Sequence, residues 1–541
     1  MPQSGSSNEK KKLFGGVAVL MPATLFTKII GLFYKIPLIA IVGVTGMAYF
    51  LAAYHIYSML FVLSATGLPT ALSLQIARSV AAGQTRAVRR IFGVALTLFL
   101  SLGLGGTVLL LAGAPALAAR LAMADAAASI VAIAPALLLA AFIGAAKGYF
   151  QGHQRMVPTA LSEVLEAAGK LGFGLGFALL AKHRGLPVPV VAAYAIFGIT
   201  AGLALAALVL AVLLVADAVK RRGEGREGAL PSRRGGLGEL LRVALPVTVS
   251  ASVMSLVTLI DTALISGRLQ AAGFAPAVAN AMYSSYGNLA VPLYNLVPSL
   301  LSPITLALMP LLGAALSKGE AEGGRIALSS ALRLSALVSI PAALGLGIFA
   351  RPILSLIYAG QNEAIELAAP LLSILALSVV PAALITLTGA ALQATGHTVI
   401  PVLAMGAGAL VKLALEVLLL PMQGIHIYGA PISTLACNLT VLIIEAIALS
   451  RALPFGFFSG KDLFRPFAAA LFGVAAGAAL YFGLLAAGLA CTWLMLPVLF
   501  VTAAVFALLA LRFGAVARED LFALPAGDKI CGFLIKYKLI K

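Results

Sequence analysis

From about residue 13 to residue 513 the chain repeats one pattern: a long apolar run, a short polar interruption, and another apolar run. Many runs reach the roughly 18 nearly uncharged residues that a helix needs to cross the hydrocarbon of a bilayer. Read against turn, glycine, proline and charge punctuation, they predict fourteen membrane-spanning helices. These fall at about 13–43, 47–77, 88–113, 128–150, 156–181, 187–216, 240–266, 280–316, 325–349, 366–392, 397–421, 426–450, 463–488 and 490–513. Glycine and proline lie inside the runs, which spanning helices tolerate because neighbouring helices satisfy the freed backbone groups. The expected fold class is an all-α polytopic membrane protein. Transmembrane β-barrels, secreted disulfide scaffolds and disordered tails are excluded.

Composition supports that pattern. Of 541 residues, 61% are hydrophobic and 10% charged, where a soluble domain is about half apolar and a quarter charged. The net charge of +18 would suggest a nucleic-acid binder in a soluble chain, but the distribution of charge argues against nucleic acid. With both termini placed in the cytoplasm, 28 lysines and arginines fall at inner ends and loops, five on the outer side and four within spans. Such a bias is the positive-inside signature, and it implies contact with anionic membrane lipids. Lys10, Lys11 and Lys12 precede an apolar stretch as in a signal peptide, yet Lys28 and Lys35 follow without a small-residue cleavage site, so the segment reads as a retained first span. Cys437, Cys491 and Cys531 are too few and too scattered for a metal site or a disulfide framework.

One long polar stretch, VKRRGEGREGALPSRRGG with its flanks, divides the chain and reads as a flexible linker. The expected organisation is a cytoplasmic N-terminus over 1–12, an N-lobe of six spans over 13–216 and a cytoplasmic linker over 217–239. A C-lobe of six spans over 240–450, two further spans over 463–513 and a cytoplasmic tail over 514–541 follow. The tail's FLIKYKLIK suits the inner leaflet or a disordered end equally. The lobes look alike. ARSVAAGQTRAVRRI after the second span matches LGAALSKGEAEGGRI after the eighth, and YFQGHQRMVP with Lys170 beyond it matches ALQATGHTVIP with Lys412 beyond it. Six spans per copy is an even number, so the copies enter the membrane in the same sense and predict a pseudo-two-fold axis along the membrane normal with a cleft between lobes.

An ionisable group within a span is costly unless it faces a cavity or a partner. Lys28 and Lys35 lie about two turns apart on one face of the first span, among Thr24, Thr27 and Tyr34. Two cations on one face fit a phosphate-bearing ligand; the competing reading is that one of them snorkels to an interface. Glu166 and Lys170 stand four apart, and Lys412 and Glu416 repeat that spacing in reverse order. They read either as locally neutralised pairs or as groups that gate or couple transport. Asp261 and Arg268 lie seven apart, and Asp261 is a candidate for a cation, a partner helix or an outer gate. His55 is either a packing histidine or a proton-linked group, while His153 and His397 suit loop or headgroup contacts. Asn280, Ser284, Ser285, Asn288 and Asn295 give the eighth span a wettable face, with Asn288 a candidate substrate ligand, and its prolines make the helix bendable. There is no HExxH, P-loop or nucleophile-elbow motif. The chain therefore reads as no enzyme and as needing no cofactor, driven by H⁺, Na⁺, membrane potential or downstream consumption of its substrate.

At TKIIGLFYKIP (27–37), SATGLPTALSLQIARSVAAG (64–83), GYFQGHQRMVPTALSEVLE (148–166) and GAALQATGHTVIPVLAMGAGALVKLALE (389–416), the chain resembles the stage V sporulation protein B and polysaccharide-transporter group. That group lies within the multidrug, oligosaccharidyl-lipid and polysaccharide exporter superfamily, which includes lipid II flippases. The resemblance implies a two-lobed fourteen-helix fold in a bacterial cytoplasmic membrane. It also implies movement of an undecaprenyl-diphosphate-linked sugar across that membrane by alternating access, and cell-wall synthesis enzymes as partners. By the same resemblance Lys28 takes the place of the flippases' first-span cation, and Lys35 stands close to their second. Those flippases also carry arginines in the second and eighth spans, whereas 48–77 and 280–316 here hold no lysine or arginine inside the membrane, so the cavity is less cationic. Two other readings stand beside the flippase: a cation-coupled multidrug antiporter of the same superfamily, and a non-transporting scaffold for cell-wall enzymes.

Overall fold

A computed structural model of the chain describes residues 4–65, 67–220, 255–301, 321–453, 460–489 and 491–516, with isolated positions at 238, 248, 304, 305, 308 and 312. Side chains in the first helix are described from Thr27 onward, with gaps. Most of the expected linker and tail, and the first part of the seventh span, lie outside the described residues.

Every described element is helical, as the apolar pattern requires. Helix α1 (Ser4–Ala65) carries the first expected span and most of the second, whose end falls in the next helix, and it kinks at Gly43, whose φ of 79° and ψ of 166° no L-residue adopts cheaply. Then come α2 (Gly67–Ala81), α3 (Thr85–Arg120), α4 (Ala127–Ile133), α5 (Pro135–Gly152), α6 (Val157–His183) and α7 (Val188–Lys220). A helix α8 over 255–271 and α9 (Pro276–Ser284) follow. The chain then forms a π-helical segment, Ser285–Ala290, before α10 (Val291–Leu300). That irregularity falls just before Pro292, inside the span whose prolines predicted a bend.

The later helices are α11 (Ala321–Ile348), α12 (Ala350–Ile357), α13 (Asn362–Ala376), α14 (Val379–Ala394), α15 (Val399–Leu419), α16 (Gly429–Ala452), α17 (Gly460–Ala486) and α18 (Met495–Arg512). Ten helical segments of the described residues are long and apolar enough to cross a membrane, and an eleventh is α13 with α14, bent by 46°. The expected tenth span is this bent pair. The expected fourth span is α4 followed directly by α5, which starts at Pro135, and together with the turn before them they form one candidate span over Ala124–Gly152.

The chain divides into two compact units: Met1–Gln270 with Ala275–Ser284, and Ala271–Phe274 with Ser285–Lys541. In the N-terminal unit a core of Leu72, Ile76, Phe99 and Ala141 joins α2, α3 and α5. In the C-terminal unit Leu332, Leu387, Leu392 and Leu449 join α11, α14 and α16. There α17 and α18 also close on the end of α11 through Phe349, Val474 and Val498.

Candidate functional site

Lipid tails are as apolar as leucine, so helices in a bilayer associate through close packing, and small residues permit it. Helices α6 and α7 cross through Gly169, Gly174, Gly198 and Gly202. A Cβ added at Gly198 would lie 2.2 Å from the Gly174 Cα, and one at Gly169 would lie 2.6 Å from the Gly202 Cα. The face of Gly174 also receives Tyr34 of α1, whose hydroxyl would stand 2.6 Å from a Cβ there. The buried Tyr34 hydroxyl donates to the Ala195 carbonyl at 3.5 Å. These contacts seat α1 against α6 and α7.

Between α1 and α6 the N-terminal unit holds a cavity of about 190 Å³, lined by Thr27, Ile30, Gly31, Tyr34, Glu163, Glu166, Ala167 and Lys170. Lys170 and Glu166 are half-buried at its wall. The Lys170 ammonium stands over two aromatic faces, 5.2 Å from the Tyr34 ring centre and 5.4 Å from that of Tyr54, an arrangement in which the ring quadrupoles attract the cation. Lys35 is near enough to repel Lys170. Glu166 feels attraction from Lys147 and Lys170 and repulsion from Glu163. Among the described residues no direct ion pair joins Glu166 to Lys170, whereas Lys147 pairs with Glu163 at 3.6 Å. Three ammonium groups therefore share this region with two carboxylates, and Lys170 stands against two ring faces that do not neutralise its charge. Lys28 follows the cavity-lining Thr27 on α1; its side chain lies outside the described residues.

The other expected residues of this unit sit apart from the cavity lining. His55 Nδ1 is 2.7 Å from the Thr262 hydroxyl and 3.2 Å from the Tyr283 hydroxyl, and Tyr283 donates to Thr262 at 3.0 Å. This polar knot ties α1 to α8 and α9. On α8 Asp261 and Arg268 are half-buried.

In the C-terminal unit the corresponding pair is closed. Lys412 Nζ lies 3.8 Å from Glu416 Oε1, with Glu416 fully buried and Lys412 9% exposed. The Ser433 hydroxyl donates to the same carboxylate oxygen at 3.2 Å. Asn288 is fully buried in the π-helical segment, where its backbone carbonyl accepts from the Tyr358 hydroxyl at 3.2 Å. Sequence reasoning passed over Glu445, 1% exposed on α16 and hydrogen-bonded to Thr388 of α14. The rule that flagged Asp261, an ionisable group within an apolar span, singles out Glu445 as well. It also passed over Tyr54 and Tyr34 as partners of Lys170, which no local spacing reveals.

The family model described as "Polysaccharide biosynthesis protein" matches residues 13–316, and the MatE model matches 246–418. Stage V sporulation protein B of Bacillus subtilis (strain 168) is 26% identical over 456 residues, covering 82% of this chain and 85% of that protein. The structure of the lipid II flippase MurJ in an inward closed conformation superposes with a TM-score of 0.68 at 14% identity, over 91% of this chain and 98% of that one. An inward-facing multidrug resistance MATE family transporter gives a TM-score of 0.64 at 18% identity, over 77% of this chain and 94% of that one. Both folds are those of membrane transporters and flippases.

Proposed function

The chain belongs to the polysaccharide biosynthesis protein family, within a superfamily of multi-pass transporters and flippases, and from that premise we propose that it moves an undecaprenyl-diphosphate-linked sugar or oligosaccharide across a bacterial cytoplasmic membrane. The observation that carries this reading is Lys170 over the rings of Tyr34 and Tyr54 at the wall of a membrane-embedded cavity, with Lys35 nearby. Ring faces hold an ammonium without neutralising its charge, and a diphosphate is the anionic group of such a substrate that best repays charge-assisted bonds. Lys35 and Lys170 grip the diphosphate, with Lys28 a further cation candidate from the sequence alone. Glu163 and Glu166 offset part of the charge, so the anion is bound without being trapped. Asp261, Arg268 and His55 serve closing and opening of the lobes by alternating access, with both termini in the cytoplasm.

Glu163 and Glu166 at the same cavity favour one second reading, a cation-coupled multidrug antiporter. Purified protein in liposomes loaded with a fluorescent lipid-linked glycan separates the two. The flippase predicts headgroup transfer to the opposite leaflet that Lys170→Gln and Lys35→Gln suppress. Ion-driven efflux of organic cations, with no glycan transfer, would establish the antiporter instead.

A further inference from the structure

A larger cavity lies elsewhere in the N-terminal unit, at the end where α2 and α7 finish, α3 begins and α5 finishes. Its volume is about 390 Å³, with a wall of Val80, Val88, Phe92, Leu214 and Ala218 and a rim that includes Arg89 and His153. We propose that this cavity binds an anionic phospholipid, with its phosphate at Arg89 and the start of α3, and an acyl chain along Phe92, Leu214 and Ala218. The site shares no residue with the cavity between α1 and α6 and does not depend on what that cavity carries.

Three observations point to this occupant. The first is charge: Arg78 closes α2, and Arg86, Arg89 and Arg90 fall in the first two turns of α3. Helix α3 is 36 residues long, and Gln84 at its N-cap makes no side-chain cap bond, so the positive end of a long helix dipole stands at the rim. The second is neutralisation of the nearby carboxylate. Asp217 is buried, accepts from Arg155 Nη1 at 2.6 Å and from the Tyr149 hydroxyl at 2.7 Å, and so does not repel a phosphate. His153 donates Nδ1–H to the Tyr149 carbonyl at 2.9 Å, which fixes its ring at the rim. The third is amphiphilicity at the right depth. The apolar slot opens at helix ends whose neighbours Val215 and Val219 are 63% and 56% exposed, so a chain lying in the slot continues into the bilayer. Basic pockets between spanning helices at headgroup depth select anionic lipids.

Native mass spectrometry of the full chain, released from nanodiscs of phosphatidylcholine with one-fifth phosphatidylglycerol, tests the site. Arg89 and Ala218 are both exposed, so Arg89→Gln and Ala218→Trp change the rim and fill the slot while leaving the core alone. Wild type is expected to retain phosphatidylglycerol over phosphatidylcholine, Arg89→Gln to lose about fivefold in that retention, the worth of one basic contact near a headgroup, and Ala218→Trp to lose bound phosphatidylglycerol by excluding its acyl chain, both at an unchanged melting temperature. Equal retention of the two lipids, or equal retention by wild type and both variants, would overturn the proposal. Loss in Arg89→Gln alone would mark a bare phosphate site and overturn the lipid assignment.

Discussion

Helices α6 and α15 each carry a glutamate and a lysine four residues apart beyond matching loops, yet the two units use them in opposite ways. On α6 the order is Glu166 then Lys170, the orientation that favours pairing on an isolated helix, and no direct ion pair forms among the described residues. On α15 the order is Lys412 then Glu416, the less favourable one, and the pair closes at 3.8 Å. Tertiary surroundings decide both cases. Tyr34 and Tyr54 draw the Lys170 ammonium onto their faces beside a cavity, whereas Ser433 and a dry interior hold Glu416 against Lys412. A charge left without a counter-ion beside a cavity can meet a ligand. A charge sealed against its counter-ion mainly holds two helices in register.

The sharpest test of that contrast is to break the sealed pair. Glu416→Ala leaves the Lys412 ammonium buried without its carboxylate, and the expected loss is about 3–5 kcal/mol of stability. It is read as a fall in melting temperature of the detergent-solubilised protein. Replacing both partners with apolar residues, Lys412→Met with Glu416→Leu, should restore most of that loss, because the pair's own net contribution is small once desolvation is counted. If the double variant still transports, the C-terminal pair is architectural. If it is stable but inactive, the pair takes part in the cycle and the contrast with α6 fails.

The open side gives the opposite pattern. Lys170→Gln removes a cation whose charge-assisted bond to a phosphate contributes about 1.5–3 kcal/mol, so translocation of a lipid-linked glycan should fall by about 10- to 100-fold. Stability should change by no more than the cation–π contacts supply, about 0.5–2 kcal/mol. A large drop in melting temperature with transport per folded molecule unchanged would place Lys170 with Lys412 as a structural cation.

Between these in kind stands the packing that builds the cavity. Gly198→Ala puts a methyl group 2.2 Å from the Gly174 Cα, a clash with backbone that only separation of α6 and α7 relieves. Overpacking of this sort costs about 1–3 kcal/mol. Because Tyr34 packs on the same Gly174, the shift should also move the rings away from Lys170 and lower transport. An active Gly198→Ala protein with an unchanged melting temperature would show that the crossing does not set the cavity.

The spans were legible because bilayer thickness imposes a length that apolar runs display directly. Gly43 between the first two spans marks a real break for a backbone reason that a sequence carries. The charged positions in the apolar runs, Lys35, Glu166, Lys170, Lys412 and Glu416, were legible through the cost of charge in hydrocarbon. Which of them pair was not legible, since the partner of Lys170 is Tyr34, brought in from another helix by glycine contacts across α6 and α7. The Thr388–Glu445 hydrogen bond likewise joins two helices distant in sequence.

The smallest expected effect concerns the remaining pair of the open side. Lys147 and Glu163 meet at 3.6 Å with side chains 19% and 29% exposed, so they are neither sealed like Lys412 and Glu416 nor held by rings like Lys170. Pairs in contact with solvent contribute about 0.2–1 kcal/mol, and salt screens them. Lys147→Gln should therefore shift the melting temperature only slightly, by less at high salt than at low salt. It also removes one counter-charge beside Glu163, which lines the cavity, and so strengthens repulsion of an anion there. Apparent affinity for the glycan carrier should then weaken severalfold with maximal rate little changed. A salt-independent stability loss as large as that of Glu416→Ala would instead show that the open side is built like the closed one.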